Sequence, residues 1–281
     1  MKGHKRQTGR GLKSMTYPRL STAIGTYISH ILVHKSEWYE KGQKSQLKYW
    51  NRQLGHLRVN EITPEMAILP DRSAATKNRY ATALKCALNQ YGLNLKLERF
   101  KEPERIRFLS DDERIRLLEA CRKSRSKVLY PVIILALSTG MRRGEILKLT
   151  WDRVDLARRL IYLVETKNGE KRMIPIGGHA LELICNLPRT SKYVFPSRDG
   201  SYHRDMNYYW YPVLKESGIK GFRFHDLRHT AASYLAMNGT PLLDISMILG
   251  HQDISTTMKY AHLSTEHLRG TLKSLNDMMF S

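Results

Sequence analysis

The chain has 281 residues, 41% of them apolar, and carries 47 Lys plus Arg against 26 Asp plus Glu for a net charge of +21. That length accommodates two domains with separate cores, and the positive field favours a polyanionic partner bound with a salt-dependent term. The composition argues against a disulfide framework or zinc knuckle, because Cys86, Cys121 and Cys185 form no CxxC pair; no run approaches the roughly 18 apolar residues of a membrane span, and the basic first twenty residues lead us to expect no secretory leader.

Residues 1–19 read as a basic tail in which Lys2, Lys5, Arg6, Arg10, Lys13 and Arg19 have no acidic counterweight. The segment suits contact with a DNA backbone and a disordered extension equally, and is too short for a fold of its own. Residues 20–97 read as an all-α domain of about four helices. Ser21 is placed to cap the first, whose Ile24, Tyr27, Ile28 and Ile31 share a face. A second begins near Gln43 and carries Leu47, Trp50 and Leu54. Thr63 and Pro64 make a cap and first-turn pair for the third. The fourth runs from Ala74 to Gln90, with Leu84, Ala87 and Leu88 on its apolar face and Gly92 as its stop.

Residues 98–107, charged and containing Pro103, read as a linker, and residues 108–281 as an α+β domain. Ser110 and Glu113 form a capping box, and Pro131 opens an apolar helix that reaches Ser138. Residues 151–154, 160–164 and 172–176 read as strands of a small antiparallel sheet, with Asn168-Gly169 supplying turn chemistry between the last two. Helical character returns from Gly178. Gly239 ends the helix containing His225, and Pro241 helps start the next. Leu268, Leu272 and Leu275, extended by Met278 and Met279, mark an amphipathic C-terminal helix.

Residues suited to handling phosphate stand along this second domain. Arg142 follows the Thr139-Gly140 break, where a planar guanidinium can grip two phosphate oxygens, and Glu145 is placed to orient it. His225 and Arg228 are three apart and share a helix face; imidazole titrates near neutrality, which suits proton transfer. His229 is open to two readings, a hydrogen-bonded structural histidine or a phosphate contact. His251 follows the helix-ending Gly250 and suits donation to a nonbridging oxygen or, equally, a place in the core. Lys167, beside the hairpin turn, is the candidate general acid for a departing 5′ oxygen, with Lys171 the runner-up. Tyr260 is distinguished among 15 tyrosines by following this set. A tyrosine nucleophile needs cations to stabilise charge on phosphorus and a group that helps the leaving oxygen depart. Neither HExxH spacing nor a carboxylate cluster accompanies the histidines, so no metal or other cofactor is expected.

Arg142, Lys167, His225, Arg228, His251 and Tyr260 stand in an order and approximate spacing that resemble the tyrosine recombinases, the phage-integrase family. The strings 139–149, 224–235, 249–251 and 258–262 resemble its characteristic neighbourhoods. The resemblance implies an all-α N-terminal core-binding domain over 20–97, closing a C-shaped clamp on DNA with an α+β catalytic domain. It implies that Tyr260 attacks a scissile phosphate to give a 3′-phosphotyrosyl bond and a free 5′ hydroxyl. Arg142 and Arg228 would then hold the nonbridging oxygens with help from His251, Lys167 would protonate the leaving oxygen, and His225 would assist at the nucleophile. The implied partners are double-stranded DNA attachment sites and further copies of the chain, four in a synaptic tetramer that passes through a Holliday junction. An accessory DNA-bending or directionality factor is compatible with this; a membrane is not involved.

The same resemblance places the protein in the cytoplasm of a prokaryotic cell or phage-infected host, on the nucleoid. A folded arm-binding domain is missing from the pattern, which favours a compact phage or mobile-element integrase over Xer-like chromosome-dimer resolution or DNA inversion. A type IB topoisomerase and a noncatalytic DNA-binding regulator are the competing functions. An assay with two labelled duplexes separates them by recombinant products, relaxation alone, or binding without adduct.

Overall fold

The computed structural model describes residues 16–69, 71–103, 105–163 and 172–280. The chain separates into two compact units, Met1–Glu104 and Arg105–Ser281. Most of the basic tail, the 164–171 segment with Asn168-Gly169, Lys167 and Lys171, lies outside the described residues.

The first unit is built on α1 (Leu20–His30), α2 (Glu37–Leu54) and α3 (Ala74–Asn89). Their inward faces bury Leu20, Ile24, Tyr27, Leu47, Trp50, Leu84 and Leu88 in one core, each large side chain contributing about 1.5–3 kcal/mol. Trp50 keeps its indole donor satisfied by the Tyr80 carbonyl at 2.8 Å. Three details depart from the sequence pattern. α1 starts at Leu20, with Arg19 instead of Ser21 at the cap position; the donors a cap would serve are taken by tertiary partners, Leu20 N by Leu57 O and Ser21 N by Gly55 O. α2 starts well before Gln43, which is buried inside it and accepts a hydrogen bond from the Tyr27 hydroxyl at 2.9 Å. Thr63-Pro64 opens only a 3₁₀ turn, Pro64–Ala67, in which no residue is fully buried and only Ala67 packs on the core. Without an apolar face to pay for its ordering entropy a full helix does not form there, and the described residues of the unit hold three α-helices, not four.

The second unit opens with α4 (Asp111–Lys123), where Ser110 and Glu113 make the expected reciprocal cap. α5 (Leu129–Thr139) is apolar all round and buried, as its composition requires; it starts two residues before Pro131, still within the first turn, where a missing N–H costs nothing. After α6 (Arg143–Leu147) comes a three-stranded antiparallel sheet of β1 (Val154–Asp155), β2 (Leu160–Leu163) and β3 (Arg172–Pro175) in that order. Ile161 pairs with Ile174, and both point into the main core. Residues 151–153 form a 3₁₀ turn and not the start of a strand.

α7 (Gly178–Cys185), α8 (Asn207–Glu216), α9 (Asp226–Met237), α10 (Leu242–Leu249), α11 (Ser255–Met258) and α12 (Thr265–Phe280) complete the unit. α9 packs on α5 and on α10. A small core of Ala232, Ala236, Ile245, Leu249 and Tyr260 joins α9, α10 and the turn after α11. This packing brings residues from five separate chain segments to one place.

Candidate active site

Two glycines set the backbone of the site. Gly140 ends α5 with φ 63°, and a side chain there would meet Leu249 Cδ2 at 2.5 Å. Gly250 ends α10 with φ 66°, and a side chain there would run into the Arg172 guanidinium. Both positions need glycine for the left-handed turn and for close approach. They release Arg142 and His251 from the ends of α5 and α10 toward one another.

Arg142 stands at the N-cap of α6. Its Nη1 donates to Glu145 Oε1 at 3.0 Å, its Nη2 to Gly250 O at 3.1 Å, and its backbone N to Glu145 Oε2 at 2.8 Å. Glu145 also accepts from Arg172 Nη2 at 2.7 Å, and Arg172 Nη1 donates to Leu249 O. One nearly buried carboxylate thus orients two guanidiniums, and through Arg172 it ties β3 to the end of α10. Burial, followed by the charge of Arg142, lowers the Arg172 pKa against the pull of Glu145.

Arg228 is buried on α9 and donates through Nη1 to Gly140 O at 2.8 Å. Its Nη2 is buried without a hydrogen-bond partner among the described residues. Leaving a buried donor unmade costs about 1–3 kcal/mol, and burial with the nearby Arg142 and Arg172 charges pulls the Arg228 pKa down to about 9. An anion would satisfy the donor and relieve the repulsion together. Arg228 also acts electrostatically on His225, His251 and Tyr260. Arg142, His225, Arg228, His251 and Tyr260 therefore gather around one centre, while Lys167 lies outside the described residues.

The histidines divide by surroundings. His251 Nδ1 is held by the buried Thr257 hydroxyl at 2.8 Å; burial, then Arg228 and Lys259, push its pKa down to about 4. His225 caps the start of α9 and is exposed, yet desolvation by the atoms around it, followed by Arg228, still lowers its pKa. His229 is half-buried one turn on, and its Nδ1 lies 2.5 Å from the Tyr260 hydroxyl. Burial, then Lys259 and His225, push the His229 pKa down to about 3. Tyr260 is only 1% exposed. Burial outweighs the pull of Arg228 and raises the phenol to about 12.

The partner of one site residue, His229, and the place of another, Arg172, escape a reading of the sequence alone. His229 is joined to Tyr260 across 31 positions, and the signal for it was its place beside Arg228, one helical turn from His225. Arg172 is joined to Leu249 across 77 positions. Its signal is the period of two that puts it on the same face of β3 as the buried Ile174.

Arginines, histidines with lowered pKa values and a buried phenol are gathered at one centre, a set able to hold an anion beside the tyrosine hydroxyl. The chain belongs to the phage integrase family, whose model matches residues 107–267. It is 32% identical over 181 residues to the integrase of Salmonella phage P22, covering 59% of this chain and 46% of that protein. The chain spans about half the length of the curated relatives it matches. Its fold is similar to that of the Tn1549 transposon integrase in complex with a circular intermediate DNA, with a TM-score of 0.73 at 19% identity over 92% of this chain and 99% of that one. It is also similar to a lambda integrase tetramer bound to a Holliday junction, with a TM-score of 0.71 at 18% identity over 88% of this chain and 78% of that one. The helix-rich second unit with its three-stranded antiparallel sheet has the fold of tyrosine recombinase catalytic domains.

Proposed function

We propose that this protein is a site-specific DNA recombinase of the integrase type, cutting and rejoining DNA through a 3′-phosphotyrosyl intermediate at Tyr260. The observation that carries the reading is a buried tyrosine within the field of Arg228, whose buried Nη2 has no hydrogen-bond partner among the described residues. Arg142 and Arg228 take the nonbridging oxygens of the scissile phosphate and offset the charge that builds on them in the transition state. His251, neutral and oriented by Thr257, donates a hydrogen bond to the same oxygens. Glu145 orients Arg142. Lys167 protonates the leaving 5′ oxygen, and His225, at the mouth of the cluster, assists proton transfer. The phosphotyrosyl ester conserves the energy of the broken phosphodiester, so rejoining needs no high-energy cofactor. Cationic side chains fill the role that metal ions take in other phosphoryl transfers.

The first unit serves as the core-binding domain on double-stranded DNA, residues 98–107 act as the linker, and residues 108–281 form the catalytic domain. Four copies assemble on two attachment sites and exchange strands in pairs. α12 presents Leu268, Leu272, Leu275 and Met278 to solvent, and this stripe docks on a neighbouring copy in the assembly. A phage or mobile element is the setting that the P22 and Tn1549 likenesses support.

Incubation with two differently labelled duplexes carrying an attachment site tests the reading. Joint products bearing both labels are expected, and they should persist in a chelator. Relaxation of supercoils without exchange would assign a topoisomerase instead, and mobility shifts without covalent adduct a DNA-binding regulator.

A further inference from the structure

The attacking group of a tyrosine recombinase must lose a proton as its oxygen bonds to phosphorus, and the residue placed to take it is visible here. The Tyr260 hydroxyl is buried and lies 2.5 Å from His229 Nδ1. His225, which the family resemblance puts at the nucleophile, instead stands edge-on to the His229 ring, with centroids 5.3 Å apart at 88°. We propose that His229 is a further catalytic residue, which orients the Tyr260 hydroxyl and accepts its proton during attack, with His225 assisting from its place against the His229 ring. The inference rests on the recombinase reading above and adds a role for a residue which that reading leaves unused.

The Tyr260 O–H bond breaks and its proton passes to His229 Nδ1, leaving an imidazolium. The freed pair on the phenolic oxygen forms the bond to phosphorus. The phosphorus–O5′ bond breaks with its pair on the 5′ oxygen, which takes a proton from the general acid Lys167. In the rejoining step each proton returns by the same path. Acceptance at Nδ1 requires that the resting neutral ring carry its proton on Nε2.

The surroundings make this transfer depend on substrate. In the DNA-free protein the imidazole is held down at about 3 by burial and by Lys259, His225, Arg228 and His251, while the phenol is held up at about 12. The lone pair is therefore available near neutral pH, while the lowered imidazole and the raised phenol both oppose transfer. A phosphate anion set against Arg228 and Lys259 neutralises the field that depresses the imidazole. Bonding of the phenolic oxygen to phosphorus lowers the phenol at the same moment. Transfer becomes favourable only with DNA in place, which protects the buried tyrosine from idle ionisation.

The test is single-turnover adduct formation on an end-labelled suicide substrate across about pH 6–9, with wild type, His229→Asn and His229→Ala. The asparagine keeps an acceptor near the Nδ1 position but cannot take a proton. Half-site binding and the thermal unfolding transition report folding. Both variants should bind DNA and form adduct roughly 10²–10⁴-fold more slowly, with a rate that rises about tenfold per pH unit as solution hydroxide takes over; the wild-type rate should be nearly flat. His229→Asn at the wild-type rate, either variant faster than wild type, or a slower rate with an unchanged pH profile would each overturn the proposal, the last by reducing His229 to a positioning contact. Wild-type protein that forms no adduct would instead sink the recombinase reading, and this inference with it. NMR of wild-type protein carrying isotope-labelled histidine gives a check independent of any variant's folding. It should find the Nε2–H tautomer at His229, and an Nδ1–H tautomer contradicts the assignment.

Discussion

Replacing Glu145 with glutamine tests how the site tolerates its own positive charge. The glutamine keeps the volume and an acceptor for Arg142 N, but removes the negative charge shared by Arg142 at 3.0 Å and Arg172 at 2.7 Å. Arg228 feels the same carboxylate. Arg142 is 42% exposed, so solvent screens its share and little stability is lost there. Arg172 and Glu145 are only 11% and 12% exposed, and stripping one partner from such a pair leaves a buried charge uncompensated, at a cost of about 3–5 kcal/mol. Since the amide still accepts one hydrogen bond, the lower end, about 3 kcal/mol, is expected. For a unit of this size that lowers Tm by roughly 6–12 °C. Thermal and urea unfolding of Glu145→Gln, Arg172→Met and the double variant supply a cycle. The double variant should recover at least about 1 kcal/mol relative to the sum of the singles. A loss below about 0.5 kcal/mol, or strict additivity, would refute the claim that this carboxylate holds the cations together.

Three further outcomes follow from the same geometry. Lys167→Ala should leave DNA binding near wild type and slow cleavage roughly 10²–10⁴-fold; a 5′-bridging phosphorothiolate, with its better leaving group, should rescue it more than Arg142→Ala, and equal failure to rescue would make Lys167 a positioning residue. His229 and His251 titrate near 3 and 4 in the folded protein against an ordinary 6.5, so the unfolded chain binds protons first as pH falls. Their contribution to stability is complete above about pH 6.5 and is lost progressively toward about pH 3–4. Urea midpoints should therefore fall with pH more steeply for wild type than for His229→Asn, and parallel curves would contradict that pKa. Truncation after Glu266 removes the exposed apolar stripe of α12; it should preserve half-site binding while impairing synapsis on full sites in native gels, and normal recombination by the truncated protein would exclude a coupling role.

The chemistry-bearing positions were legible because their chain neighbourhoods carry local signals. Thr139-Gly140 and Leu249-Gly250 announce helix ends, and the left-handed φ at Gly140 and Gly250 is the conformation those signals call for. The capping box at Ser110 and the amphipathic pattern of α3 and α12 are local in the same sense. What escaped is set by tertiary contact. Arg19 can stand at the N-cap position of α1 without capping it because the 55–57 turn satisfies the donors of its first residues, and α2 begins before Gln43, whose amide finds a buried partner in Tyr27. Periodicity cannot reveal that His229 meets Tyr260 or that Arg172 reaches Leu249, since each pair is assembled only when α9, α10 and β3 pack. Among the residues proposed for the site, Lys167 alone lies outside the described segments, and its role rests on the family resemblance and on the chemistry of the leaving group.

The most direct test of the central claim is covalent capture. Wild-type protein incubated with a nicked suicide substrate carrying its attachment site should yield an SDS-resistant adduct joined to the 3′ side of the break, and peptide mapping should locate the bond at Tyr260. Tyr260→Phe, which removes only the phenolic oxygen, should bind the same DNA with unchanged mobility and yield no adduct. An undiminished adduct in Tyr260→Phe, or a bond mapped to any other residue, would contradict the account.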